Sequence, residues 1–262
     1  MEFLYIYLIL LAYFMIWFVI AQIKKNNGLI DIAWGMSFVV TVVSSLILSG
    51  SVNLTKMIML GVIMLWGMRL SIYLFMRNWS KPEDFRYKAM RDKWKTNLKL
   101  KAFLKVFLTQ SIFSYIISLP VIFTNLYSTN LTEIIEFVVI GLGLAIYLLG
   151  FVFEVLADSQ LALFKKNPNN KGKILKSGVW SLSRHPNYFG EATIWWGIGI
   201  ISISGFVPIT FIALISPLII TLLLRFVTGV PLLERKYIGN LEFEAYKKVT
   251  PIFVPFIKKK QP

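Results

Sequence analysis

Seven stretches of this chain run for 16 to 23 residues with at most two charged residues in each: 3–23, 29–49, 57–76, 103–123, 134–156, 189–204 and 206–227. A bilayer core about 30 Å thick takes roughly 20 apolar residues per helical span, and backbone groups in lipid must be satisfied within the segment itself. A chain built this way is expected to be an all-α, polytopic integral membrane protein. The first stretch lacks a basic start and a small-residue cleavage site, so it is expected to remain as a span rather than act as a signal peptide. The last two are separated by little more than Gly205, with Pro208 just inside the second, and read as a tight hairpin.

The charge distribution orients the spans. The chain carries 28 Lys and Arg against 13 Asp and Glu, a formal net charge of +15. Such a balance can mark a nucleic-acid binder, but here long uncharged runs separate the basic residues, and no nucleic-acid partner is expected. With the N-terminus outside, segments 24–30, 77–101, 157–188 and 228–262 face inward and hold 24 of the 28 cations, against Lys56 alone outside. Basic residues gather in cytoplasmic loops, so seven spans with the N-terminus out and the C-terminus in are predicted, as one membrane domain over 1–262. Aromatic residues Trp79, Phe85, Tyr87 and Trp94 suit a 77–101 segment lying in the lipid interface, and residues 231–246 suit a short interfacial helix. The chain has no cysteine and one histidine, too few nitrogen and sulfur ligands for a metal site.

An ionisable residue inside a span costs at least ~2.5 kcal/mol on insertion scales and so calls for a partner or a function. Glu154 and Asp158 lie one turn apart on the fifth span, a polar wall able to accept hydrogen bonds from a ligand. The densest constellation is Ser183-Arg184-His185-Pro186-Asn187-Tyr188-Phe189-Gly190-Glu191. Pro186 suits a first helical turn, which puts Arg184 and His185 at a helix N-terminus, where an anion such as a phosphate is favoured. Asn187, Glu191 and Trp195 follow on one face. Arg69, Tyr73 and Arg77 share a face of the third span, with Asp31, Glu154 or Glu191 as candidate partners for Arg69. Asp31 opens the second span, Arg225 and then Glu234 end the seventh, and Tyr246 follows. Nearly all of these lie toward the inner side, so a site open to the cytoplasm is expected. Residues 169–172 are turn-rich and read as a mobile loop.

From Gly178 to Glu191 the chain resembles the steroid 5-alpha-reductase superfamily, most closely an uncharacterised bacterial branch of it. The resemblance runs from about Glu154 to Pro255, with a reductase-like cofactor-binding half over 150–257 and a weaker match in the first three spans. It implies an NADPH-dependent oxidoreductase that passes hydride to a carbon-carbon double bond conjugated to a carbonyl, in a lipidic, steroid- or isoprenoid-like substrate drawn from the bilayer. By that resemblance Asp158, Lys165, Asn187 and Glu191 contact the cofactor. The clustering at the helix start adds Tyr188 to these and puts Arg184 and His185, with Lys165, on the cofactor phosphates. Asp31, Arg69 and Tyr73 fall near the catalytic positions. Departures are Glu154 for an asparagine, Trp66 for the catalytic tyrosine, and Glu234 for a histidine after the last span.

Isoprenylcysteine carboxyl and phospholipid methyltransferases also carry an Arg-His-Pro string, a later Glu and a Tyr-rich tail. Glu234, Tyr246 and residues 255–257 resemble that pattern, which implies S-adenosylmethionine as the alternative cofactor. A non-enzymatic lipid-binding protein is the third possibility. Usage rich in Lys, Ile and Asn suggests a bacterial source, hence the bacterial cytoplasmic membrane. Oligomeric state is left open.

Overall fold

The computed structural model describes residues 1–255. The basic end at 258–260 and the final two positions of the 255–257 string lie outside the described residues. Among those described the chain is helical with no strand. Among the described residues six helical segments are long and apolar enough to cross a membrane: Glu2–Ile23, Asn27–Ser49, Leu54–Asn78, Leu98–Ile117, Ile134–Lys166 and Pro208–Tyr237. The sixth expected span, 189–204, falls on a helix over Pro186–Ser202, whose 17 residues rise about 25 Å at 1.5 Å each. It is apolar but shorter than the other six.

The chain divides into two compact units, one of Met1–Ile140 with Ile201–Ser216 and one of Gly141–Ile200 with Pro217 onward. In the first unit, α1 (Glu2–Ile23), α2 (Ile30–Ser49) and α3 (Leu54–Asn78) pack in sequence. Asn53 starts α3 by accepting from Lys56 N, and Gly50 ends α2 in the left-handed conformation that glycine tolerates. A Cβ on Gly35 would lie 2.5 Å from the Gly67 carbonyl oxygen and one on Gly67 2.6 Å from that of Gly35. Only hydrogen fits at this crossing, the small-residue contact that lets membrane helices approach closely. Short polar bonds add to it: Ser71 Oγ donates to Ile32 O at 3.1 Å, and Tyr13 donates to Ala33 O at 3.0 Å.

Of the four aromatic residues expected at the lipid interface in segment 77–101, two turn inward. The segment forms α4 (Phe85–Asp92), capped by Asp84, and Tyr87 and Trp94 are buried in a core with Leu10, Phe14, Ile30, Ala33 and Phe107. Their rings join an apolar cluster with residues of α1 and α2. Trp79 stays near the surface, with the Lys24 ammonium 4.1 Å above its ring. The fourth span is built from α5 (Leu98–Ala102), a π turn over Phe103–Leu108 and α6 (Thr109–Ile117), and it breaks before α7 (Leu119–Tyr127), where Pro120 lies in the first turn.

In the second unit the long α8 (Ile134–Lys166), from Gly141 onward, runs against α9 (Pro186–Ser202) up to Ile200. Gly150 and Gly190 meet as Gly35 and Gly67 do: a Cβ on Gly150 would lie 2.6 Å from Gly190 O. Two turns further, a Cβ on Gly197 would lie 2.6 Å from Gly143 O. Beyond α10 (Ile215–Leu222) a second π turn, Leu223–Val227, carries Arg225, followed by α11 (Val230–Glu234) and α12 (Leu241–Val249).

Candidate functional site

The glycine crossing of α8 and α9 positions the site's acids. A Cβ on Gly190 would sit 2.6 Å from Glu154 N and 2.8 Å from Glu154 Cβ, so the first turns of α9 cross α8 beside Glu154. Glu154 and Asp158 are both buried, as is Glu191, while Asn187 in the first turn of α9 is half-buried.

The chain between the two helices is folded back onto α8. Gln160 accepts from Val179 N at 3.0 Å, and Trp180 Nε1 donates to Ala157 O at 3.1 Å. Gly178, at φ +63°, lies directly against the Gln160 amide, and a side chain there would displace it.

This return delivers Ser183, Arg184 and His185 to α9, and all three are buried. One oxygen of Glu234, on α11, meets both side chains: Oε1 accepts from Arg184 Nε at 2.9 Å and lies 3.0 Å from His185 Nε2. Arg184 also donates through Nη1 to Thr250 O at 3.0 Å, and its amide donates to Pro251 O at 2.9 Å. Ser183 Oγ donates to Phe253 O at 2.8 Å, and the Tyr246 hydroxyl donates to Trp180 O and, at 3.3 Å, to Ser183 O. The His185 ring stacks on Tyr188 with 9° between planes. Arg184 therefore binds the tail segment to the start of α9, its charge answered by Glu234.

Burial shifts the titration of these groups. It lowers the pKa of His185 against the opposing pull of Glu234, so the imidazole is neutral at pH 7. Burial likewise raises that of Tyr246.

Asp158 and Lys165 stand on one face of α8, two turns apart. Past Asp158 this face opens on a cavity of about 450 Å³, lined by the apolar Leu161, Phe164, Leu175 and Tyr237 and by Lys165, Lys166, Lys171 and Lys173. The loop closing it turns at Gly172, with φ +83°, and is tied to α8 by Asn170 Nδ2 donating to Phe164 O at 2.9 Å. Of these lysines, the sequence singled out Lys165. Lys166 follows it on α8, and Lys171 and Lys173 join because the 167–173 turn folds back beside the end of α8, which spacing does not reveal.

The remaining candidates lie in the first unit. Asp31 accepts from Arg86 Nη2 at 2.8 Å and from the Tyr87 hydroxyl at 2.6 Å. The guanidinium of Arg77 lies 5.3 Å from the centre of the Tyr73 ring, and Arg69 sits half-buried near the middle of α3. Asp31 is thus matched with Arg86 and Tyr87, 55 and 56 residues away in sequence; no local pattern signals that pairing. Around it, Asp84 binds Arg86 at 2.9 Å and Glu83 binds Arg91 at 2.9 Å. Burial works against an ionised Asp84, yet hydrogen bonds from the Arg86 side chain and amide hold its pKa below the usual carboxylate range.

The family model described as a protein of unknown function, DUF1295, matches residues 17–250. The chain belongs to this family. The DUF1295 match takes in every candidate site residue named above, from Asp31 to Tyr246. A curated relative, the probable O-methyltransferase ustE of Ustilaginoidea virens, is 47% identical over 53 residues. That match spans 20% of this DUF1295 chain and 18% of the relative's length. No solved structure matches the chain.

Proposed function

We propose that this DUF1295 protein is a membrane-embedded NADPH-dependent reductase acting on a conjugated carbon-carbon double bond of a lipidic substrate. The observation that carries the reading is the sequence of chemistry along one face of α8: buried Glu154 and Asp158, then a cavity with four lysines. A dinucleotide phosphate needs both parts. Carboxylates accept from its amide and hydroxyl groups, and ammonium groups offset its phosphates. On this reading Asp158, Asn187 and Glu191 orient the uncharged portion, while Lys165, Lys171 and Lys173 hold the phosphates. Arg184 and His185, already bound to Glu234, position the wall of the site instead. NADPH, when bound, would supply the hydride. The finer topology belongs to the same proposal: α9 serves as the sixth of seven spans, with the N-terminus outside and the cavity in the cytoplasm.

A second reading, methyl transfer from S-adenosylmethionine, is favoured by the Arg184–Glu234–His185 knot and by the name of the curated relative. Four carboxylates near a cationic ligand would suit it, but that ligand has no phosphate for the lysines. Titrating purified protein in detergent with NADPH and with S-adenosylmethionine separates the two. The reductase reading expects NADPH to raise the melting temperature and Lys171→Ala with Lys173→Ala to weaken its binding about tenfold or more, the loss of roughly 1.4 kcal/mol of charge-assisted contact. Stabilisation by S-adenosylmethionine alone, indifferent to the lysines, overturns it.

A further inference from the structure

α12 is apolar on two opposite faces. Phe243 and Tyr246 are buried against Ile174 and Tyr237, yet the outward face carries Leu241, Ala245 and Val249 at i, i+4 and i+8. Leu241 is 86% exposed and Val249 57%, and Ile238, just before the helix, is 81% exposed. A solvated surface helix carries polar residues on its outer face, and an exposed apolar stripe between charged flanks is suited to an interface rather than to open solvent. The charges around this stripe are unevenly matched. Glu242 is held by Lys176 at 2.7 Å and Glu244 by Lys247 at 3.1 Å. Among the described residues, Arg235, Lys236 and Lys248 have no acid partner, so the uncompensated charge beside the stripe is positive. The stripe also begins directly after the last candidate span, Pro208–Tyr237.

We infer that Ile238 and the outer face of α12 form a membrane-seating surface, with Leu241 and Val249 in the acyl boundary and Arg235, Lys236 and Lys248 on acidic phospholipid headgroups. An apolar stripe flanked by basic residues is the chemistry of an interfacial helix. Because the opposite face carries Tyr246, and the carbonyls of Lys247 and Thr250 receive Arg184, the lipid surface supports the wall of the site. The inference does not depend on which cofactor the site takes.

The cysteine-free chain makes the test direct. Leu241→Cys and Val249→Cys, each labelled with nitrobenzoxadiazole, are placed in nanodiscs of phosphatidylcholine with and without phosphatidylglycerol, with Lys171→Cys as a solvent-facing reference. Shallow nitroxide lipids are expected to quench the first two probes about twofold or more, as a face ~5 to 10 Å into the boundary requires, and iodide to quench only the reference. The lipid quenching should weaken without phosphatidylglycerol. Free access of iodide to both probes overturns the inference, as does quenching indifferent to acidic lipid. Disulfide cross-linking of two unlabelled Leu241→Cys chains, without lipid quenching of the labelled ones, assigns the face to a second copy and overturns it equally. Should labelling disturb the fold, Leu241→Ser and Val249→Ser offer a label-free measure: tryptic cleavage after Lys248 in acidic liposomes should be faster than in the parent, and unchanged cleavage counts against the surface.

Discussion

A single carboxylate oxygen organises the start of α9. Glu234 Oε1 serves both Arg184 and His185, and the Arg184 side chain is only 4% exposed. Removing one partner of such a pair leaves the other buried and unanswered. Arg184→Ala is expected to destabilise by about 3 kcal/mol, read as a lowered melting temperature in detergent, with Glu234→Gln in the same chain recovering part of the loss. The His185 pKa lies below its ordinary 6.5, so as pH falls through that value the unfolded chain takes up a proton that the folded site refuses. Stability present above about pH 6.5 is therefore lost progressively below it. Melting curves between about pH 7.5 and about pH 5.5 should show the decline, and His185→Gln should flatten it. The string 183–191 stood out in the sequence as a candidate from its density of functional groups. That Glu234 would meet it was not, because the two lie 50 residues apart and the tail's path sets the contact.

Helices and their apolar faces could be read well, since each run had to satisfy its own backbone in lipid. The contacts between helices could be read less well. Nothing local shows that Gly150 meets Gly190, and the crossing fixes where Glu154 lies relative to α9. Gly150→Ala should place a methyl group 2.6 Å from Gly190 O and cost about 1 to 3 kcal/mol through separation of the helices. Thermal unfolding checks the cost, and Gly141→Ala, whose Cβ would meet nothing within 4 Å, is the control that should leave stability near that of the parent. The inward turn of Tyr87 and Trp94 was hidden for a related reason. Aromatic residues among charges suit a lipid interface and a packed strap equally, and only the opposing surfaces of α1 and α2 decide that Tyr87 and Trp94 turn inward.

For the whole molecule, the asymmetry of Lys and Arg predicts a sidedness that labelling can read. In intact cells a membrane-impermeant maleimide should reach Val52→Cys, 66% exposed between α2 and α3, and should reach Lys171→Cys only after permeabilisation. Reversed labelling would place the lysine cavity outside and remove it from any cytoplasmic cofactor. The length of α8 adds one more consequence. Its 33 residues make a rod about 50 Å long, against a hydrocarbon core of about 30 Å. A continuous helix that outruns its membrane answers a change in bilayer thickness by tilting, and a tilt of about 10° would carry the far end of such a rod sideways by about 9 Å. The lysines at that end ride on a lever whose fulcrum is lipid, so the acyl-chain length of the host membrane becomes a setting of the cavity's position.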